Sequence, residues 1–358
     1  MLQHLILTKF SYRFPGWNKG KSIDPLSPSV LVHRMHMLKS ITYPCLKSQT
    51  HQDFSWIIII DPGLPDDKRK AIENFQLPGA KIYISEYMEA SHKKKTSWLL
   101  PFINTDTQYL ITSNLDADDA VFRGFTLYIH DYFYSLIKKN KIQPLHFLYA
   151  GNIIQWDLIQ SKDAPFGYIK PWTRKGTISV STGYTVCCQF PEVDFIVYSL
   201  GHRLPGFLYH ENDEQFETND SIRTILKNAR NVIKQVAENA DVHWDGEIEK
   251  NIHVDYIRSN HQQALVVNHW QNKQFTRLLE SEDERIKCDI HHSLKDFDID
   301  WKAVEQFSIY RGKKLKFYYQ ILKNSVIYSI NISRGKPYLL RIKIFLRDFG
   351  NTLSNLRK

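Results

Sequence analysis

Three carboxylates crowd one short stretch of this chain. Tyr109-Leu-Ile-Thr-Ser-Asn-Leu-Asp-Ala-Asp-Asp-Ala120 is an apolar, strand-like run that ends in Asp116, Asp118 and Asp119. Side chains alternate along a strand, so Asp116 and Asp118 project to one side as the strand gives way to a loop. One cation can bridge both. Mg²⁺ or Mn²⁺ takes few protein carboxylates and fills its shell with water and phosphate oxygens, so the spacing suits a metal that neutralises a departing diphosphate. Asp119 reads as a further ligand or as support for the other two. The ordinary alternative is an acidic turn, since Asp favours turns. An EF-hand loop is excluded, because its Gly and its distal Glu are missing.

Other groups are placed to join such a site. A fourth carboxylate, Asp61, ends the run Trp56-Ile-Ile-Ile-Ile-Asp61 just before Pro62-Gly63. Lys9, Arg13 and Arg34 are candidate partners for phosphate oxygens, which an Arg fork matches well. The run Lys93-Lys-Lys95 is a weaker one, because a lysine run is more often a solvated face. Neither GxGxxG nor GxxxxGK[ST] occurs, which counts against dinucleotide oxidoreductases and P-loop kinases.

The elements that must position these groups alternate. Strand patterns at 4–10, 54–60, 80–85 and 108–113 are separated by helical ones. Val30 to Ser48 has helical spacing until Pro44 interrupts it, and Pro65 to Phe75 opens with a proline where a first turn tolerates one. Strand–helix alternation builds a Rossmann-like, mostly parallel α/β sheet flanked by helices, with ligands at the carboxyl ends of the strands. Asp61 and Asp116 both fall at such ends. Further on, 125–139 reads as a helix, 145–159 and 177–189 as strands, 228–238 as a helix, and 254–270 as a strand-loop segment.

At 358 residues the chain is long enough for a sizeable core. Cys45, Cys187, Cys188 and Cys288 form no CxxC pair, which argues against zinc or a disulfide framework and fits a reducing compartment. The start, Met1-Leu-Gln-His-Leu-Ile-Leu7, has no basic segment and leads straight into a strand pattern, and no run is long and apolar enough for a membrane span. These features predict a cytoplasmic protein. The net charge of +9 is concentrated at one end. Residues 309–358 hold twelve of the 47 Lys and Arg but one of the 38 Asp and Glu, so the body before them carries 35 basic against 37 acidic side chains. A nucleic-acid-binding core is therefore disfavoured. In the tail, Lys313-Lys-Leu-Lys-Phe-Tyr-Tyr319 and Tyr338-Leu-Leu-Arg-Ile-Lys-Ile-Phe-Leu-Arg347 interleave cations with large apolar groups. That composition suits a helix lying on anionic lipid, or one packed on the body with its lysine stems buried.

Taken in order, His4-Leu-Ile-Leu-Thr-Lys-Phe10, Arg34, Pro44-Cys-Leu-Lys-Ser-Gln-Thr50, Phe54-Ser-Trp-Ile-Ile-Ile-Ile-Asp61 and Leu115-Asp-Ala-Asp-Asp119 resemble the family described as putative bacterial rhamnosyltransferases, nucleotide-sugar glycosyltransferases of GT-A fold. The resemblance spans about residues 4–270. It departs from the family pattern at Lys9, where Arg is usual, and at His261-Gln-Gln-Ala264, where His-Gly-x-Asn is usual.

The resemblance implies a GT-A domain over residues 1–275, with a nucleotide-binding half at 1–120 and an acceptor half at 121–275, followed by a basic, helical C-terminal extension at 276–358. It implies metal-dependent transfer of a sugar from dTDP-L-rhamnose, or from a UDP-sugar, to a hydroxyl of a glycan or lipid-linked glycan at the inner face of the plasma membrane. Asp61 would accept the imide N–H of a uracil or thymine. Lys9, Arg13, Arg34 and Asp116 would face the nucleotide sugar, and Asp116 and Asp118 the metal, with His261 completing its shell. Inversion needs a base, for which Glu211, Asp213, Glu214 and Glu217 all qualify; Asp213 and Glu214 are the candidates chosen. His202 is a further histidine of interest. The rival from another class is a binding protein that keeps a decayed GT-A body on a basic anchor.

Overall fold

The computed structural model describes residues 1–13, 24–86, 96–158, 166–172, 181–199, 231, 252–257, 262–268 and 289–306. Its framework is a seven-stranded, mostly parallel sheet. The strands are β1 (Leu2–Phe10), β2 (Ser55–Ile60), β3 (Lys81–Ser85), β4 (Tyr109–Asn114), β6 (Leu145–Tyr149), β9 (Thr185–Gln189) and β10 (Ile252–Tyr256), in the order β10-β6-β9-β4-β1-β2-β3. β9 alone runs against its neighbours β4 and β6. A second sheet has the order β5-β11-β7-β8, from β5 (Ala120–Val121), β7 (Ile153–Asp157), β8 (Tyr168–Trp172) and β11 (Ala264–Asn268).

The continuous apolar run of β2 is explained by its place: all six residues are buried, as a parallel strand covered on both faces requires. The chain leaves β1 for β2 and β3 on one side and returns to β4 on the other. Strand order therefore reverses beside β1, and a crevice for ligands opens where it does so in sheets of this kind. This is the Rossmann-like α/β arrangement expected. The sheet draws strands from both sides of residue 120.

Pro44 does not end its helix. α1 (Pro28–Met37) passes through a π turn at Leu38–Thr42 into α2 (Tyr43–Lys47), with Pro44 in its first turn. The wider turn absorbs the proline, whose missing N–H would otherwise have met the Ser40 carbonyl. That carbonyl accepts from Asp300 N at 2.8 Å instead. α3 (Asp66–Glu73) and α4 (Phe125–Lys138) match the sequence pattern closely.

The expected strand at 145–159 is two strands in two sheets. Ala150-Gly151-Asn152 breaks it, and Gln263 Oε1 holds the break by accepting the N–H groups of Gly151 (2.5 Å) and Asn152 (3.2 Å). A Cβ on Gly151 would lie 2.8 Å from the Ile257 carbonyl. Of the expected strand at 177–189, residues 181–184 form a turn, and 177–180 lie outside the described residues. The expected helix at 228–238, residue 231 apart, also lies outside them.

Residues 289–306 pack on the domain through α5 (Ile290–Ser293) and α6 (Trp301–Gln306). Ile290, Leu294, Phe297 and Val304 are buried in the same core as Leu38, Ile41 and Trp56. Arg123 forks Asp298 at 2.8 and 2.6 Å, and its N–H donates to the Asp296 carbonyl at 3.2 Å. The basic tail from 307 onward lies outside the described residues. Among the described residues, no helix is long and apolar enough to cross a membrane.

Candidate active site

Register brings the carboxylates to one edge of the sheet. Phe10 pairs with Ile60 and Leu7 with Asn114, so Ser11 to Arg13, Asp61 and Asp116 all follow the carboxyl ends of neighbouring strands.

The acidic loop is braced from below. Thr42 Oγ1 donates to the Asp119 carbonyl at 2.9 Å, and Asp119 N donates to the Asp116 carbonyl at 3.1 Å to close the turn. Asp119 is buried, and both its carboxylate oxygens are taken by protein donors. The Thr182 hydroxyl meets Oδ2, and Val267 N meets Oδ1 at 2.9 Å. Of the two roles open to Asp119, this is the supporting one. Burial, then the charges of Asp118 and Asp116, push its pKa well above the usual carboxylate range.

Asp116 and Asp118 are half-buried. Ser181 Oγ donates to Asp116 Oδ2 at 3.0 Å, and Asn114 Nδ2 reaches Oδ1 at 3.4 Å. Burial raises the Asp116 pKa and the Asp118 charge raises it further, while these hydrogen bonds and Lys9 act the other way. Two like charges held together in this way suit a cation between them. Among the described residues no group of three or more His, Cys, Asp and Glu is arranged to hold a metal. Two carboxylates are fewer protein ligands than the four of a structural zinc site, and a hard cation taking few of them would draw the rest of its shell from water and phosphate oxygens.

Lys9 extends this cluster. Its Nζ lies 3.6 Å from the centre of the Tyr198 ring, and Tyr198 OH donates to the Leu7 carbonyl at 3.2 Å. Burial raises the Tyr198 phenol, and the Asp116 charge adds to that.

Asp61 and Arg13 meet each other. Arg13 Nη2 donates to Oδ1 at 2.7 Å, Nε to Oδ2 at 2.9 Å, and Arg13 N to Oδ2 at 3.1 Å. Gly63 N adds a bond to Oδ1 at 2.8 Å. Arg34 is half-buried on α1 and makes no ion pair among the described residues. Asp213, Glu214, Glu211, Glu217, His202, His261 and Lys93 to Lys95 lie outside the described residues.

Ser181, Thr182, Thr42 and Tyr198 were not legible as site residues. The one signal near them is Gly183, whose φ of 73° lets the chain turn Thr182 back under Asp119. Its Cβ would meet nothing nearer than Phe125 Cε2 at 3.4 Å, so Gly183→Ala tests backbone strain alone. It should lower stability by about 1–2 kcal/mol, read from the shift in urea midpoint.

Residues 3–141 match the model of the family described as "putative rhamnosyl transferase", a segment that carries Asp61, Asp116 and Asp118. No curated protein matches the chain. Among solved structures, S. aureus TarS 1–349 is similar at 11% identity and a TM-score of 0.32, over 99% of this chain and 89% of that one. The same protein in complex with UDP-GlcNAc gives 9% and 0.31 over the same shares. A putative nucleotide-diphospho-sugar transferase from Desulfovibrio desulfuricans G20 gives 9% and 0.31, over 86% of this chain and 99% of that one. Likenesses of this depth assign no role to any residue.

Proposed function

We propose that this chain transfers a sugar, L-rhamnose in keeping with the family match, from a nucleoside diphosphate to a hydroxyl of a surface-glycan acceptor, and that it does so with a divalent cation. The observation that supports this best is the pair Asp116 and Asp118 beside the reversal in strand order, with Asp119 turned inward to brace their loop. A Mn²⁺ or Mg²⁺ held by these two carboxylates would supply charge neutralisation as the diphosphate leaves.

The chain's own groups prepare the site. Ser181 and Asn114 fix the Asp116 carboxylate, and Lys9 adds a positive charge near it. Asp213 or Glu214 is proposed to take the acceptor's proton, with inversion at the anomeric carbon; retained configuration in the product would overturn that assignment. His261 is proposed to complete the metal's shell. The donor is dTDP-L-rhamnose or a UDP-sugar, and the basic tail is proposed to hold the enzyme at anionic lipid on the cytoplasmic face, near a lipid-linked acceptor.

The test is thermal stabilisation by a panel of nucleoside diphosphates and sugar nucleotides, with and without Mn²⁺. A ligand at 100 times its Kd adds about 2.7 kcal/mol. Metal-dependent stabilisation by one base class supports the proposal, and no shift with any nucleotide overturns it.

The pH dependence has a definite sign. Cation binding needs Asp116 deprotonated, and its pKa lies above the ordinary 3.8. Mn²⁺ affinity should therefore be full well above that raised value and fall as pH drops through it, starting before an ordinary carboxylate would protonate. Calorimetric titration at stepped pH checks this, and an affinity flat down to 3.8 would contradict it.

A further inference from the structure

The carboxylate of Asp61 has no acceptor site left. Two oxygens offer about four lone-pair positions, and four donors already fill them: Arg13 Nη2, Nε and N, and Gly63 N. The Asp61 side chain is 6% exposed, whereas that of Arg13 is 36% exposed. The fork uses two of the five guanidinium N–H groups, and among the described residues none accepts from the other three. The outward face of the pair is thus a set of fixed donors.

Resting on the nucleotide-sugar reading above, we propose that Asp61 is a positioning residue, and that Arg13, which it clamps, reads the carbonyl edge of the donor's base. The charge balance favours a base over the diphosphate as the partner of Arg13. A guanidinium locked to a carboxylate has little net charge to attract phosphate, but its N–H groups keep their direction, which suits a neutral carbonyl oxygen. Lys9, whose charge acts on Asp116, is a cation near the acidic loop.

Gly63 supplies the decisive variant. A Cβ there would lie 2.6 Å from Arg13 Nη2 and 3.1 Å from Asp61 Oδ1, and the glycine is not in the left-handed region. Gly63→Ala therefore pushes the guanidinium off while leaving Asp61 in the chain.

The experiment measures Kd for UDP against CDP, and for GDP against ADP, each with Mn²⁺, in the full-length wild type, Arg13→Ala, Asp61→Asn, Gly63→Ala and the Arg13→Ala/Asp61→Asn double variant. The free proteins' thermal midpoints are read alongside. The wild type should prefer the carbonyl-bearing base of one pair by about tenfold. Arg13→Ala and Gly63→Ala should each erase that preference, and the double variant should lose no more than Arg13→Ala alone. If Asp61 instead accepts the imide N–H directly, Arg13→Ala and Gly63→Ala expose its oxygens and keep or sharpen the preference, which would overturn the proposal. Wild-type protein that binds no nucleoside diphosphate overturns the function itself, a different failure.

Discussion

Asp118→Asn should reduce sugar transfer about 100-fold or more, because a bound metal contributes several kcal/mol to the transition state and each 1.36 kcal/mol is a factor of ten. Asparagine keeps the size of the side chain but removes the charge that, with Asp116, would make the proposed cation site. Asp118 is half-buried, so the fold should survive. The assay is release of nucleoside diphosphate from dTDP-rhamnose or UDP-sugars with Mn²⁺. Wild-type rates in a folded variant would refute the metal role. Asp119→Ala offers a contrast, since it should lower the melting temperature as well as the rate. It strands Val267 N and removes the acceptor for Thr182.

Trp56→Ala should cost about 3–5 kcal/mol, the range for truncating a large buried aromatic. The indole is fully buried near the start of β2 and donates Nε1–H to Thr8 Oγ1 at 2.9 Å. It stacks near Phe75, with ring centres 5.9 Å apart, and near Tyr43 at 6.5 Å. Domains are stable by about 5–15 kcal/mol in total, so this one change should consume a large share and lower the urea midpoint accordingly. Trp56→Phe, which keeps an aromatic ring, should lose less. A loss below about 1 kcal/mol in the alanine variant would mean the site repacks, contrary to the density of a native core.

How far the residues announced this arrangement follows from the range of the interactions. β1, β2, β4 and α4 were readable because their signals are local: period, a buried apolar run, a first-turn residue. That carboxylates follow a strand end was readable in Asp116 and Asp118, but strand alternation does not set their geometry, because β4 ends at Asn114 and both lie in the turn that follows. The inward turn of Asp119 was not, since it depends on a threonine and a backbone N–H from distant segments. Nor was the pairing of Asp61 with Arg13, 48 residues away. Pro44 misled because a π turn, invisible to a period of 3.6, absorbed it. The run at 145–159 misled because an apolar pattern fits two short strands as well as one long one.

The order in which the chain emerges during synthesis gives the bracing of the acidic loop another meaning. β1, β2 and β4 are all made within the first 114 residues and can pair early. Asp119, however, waits for Val267, 148 residues later, and Arg123 waits for Asp298, 175 residues later. Contacts of such separation form late, because the loop between them must close first. A nascent chain can therefore hold a well-formed sheet while its acidic loop still lacks these braces, so the geometry of that loop is completed last.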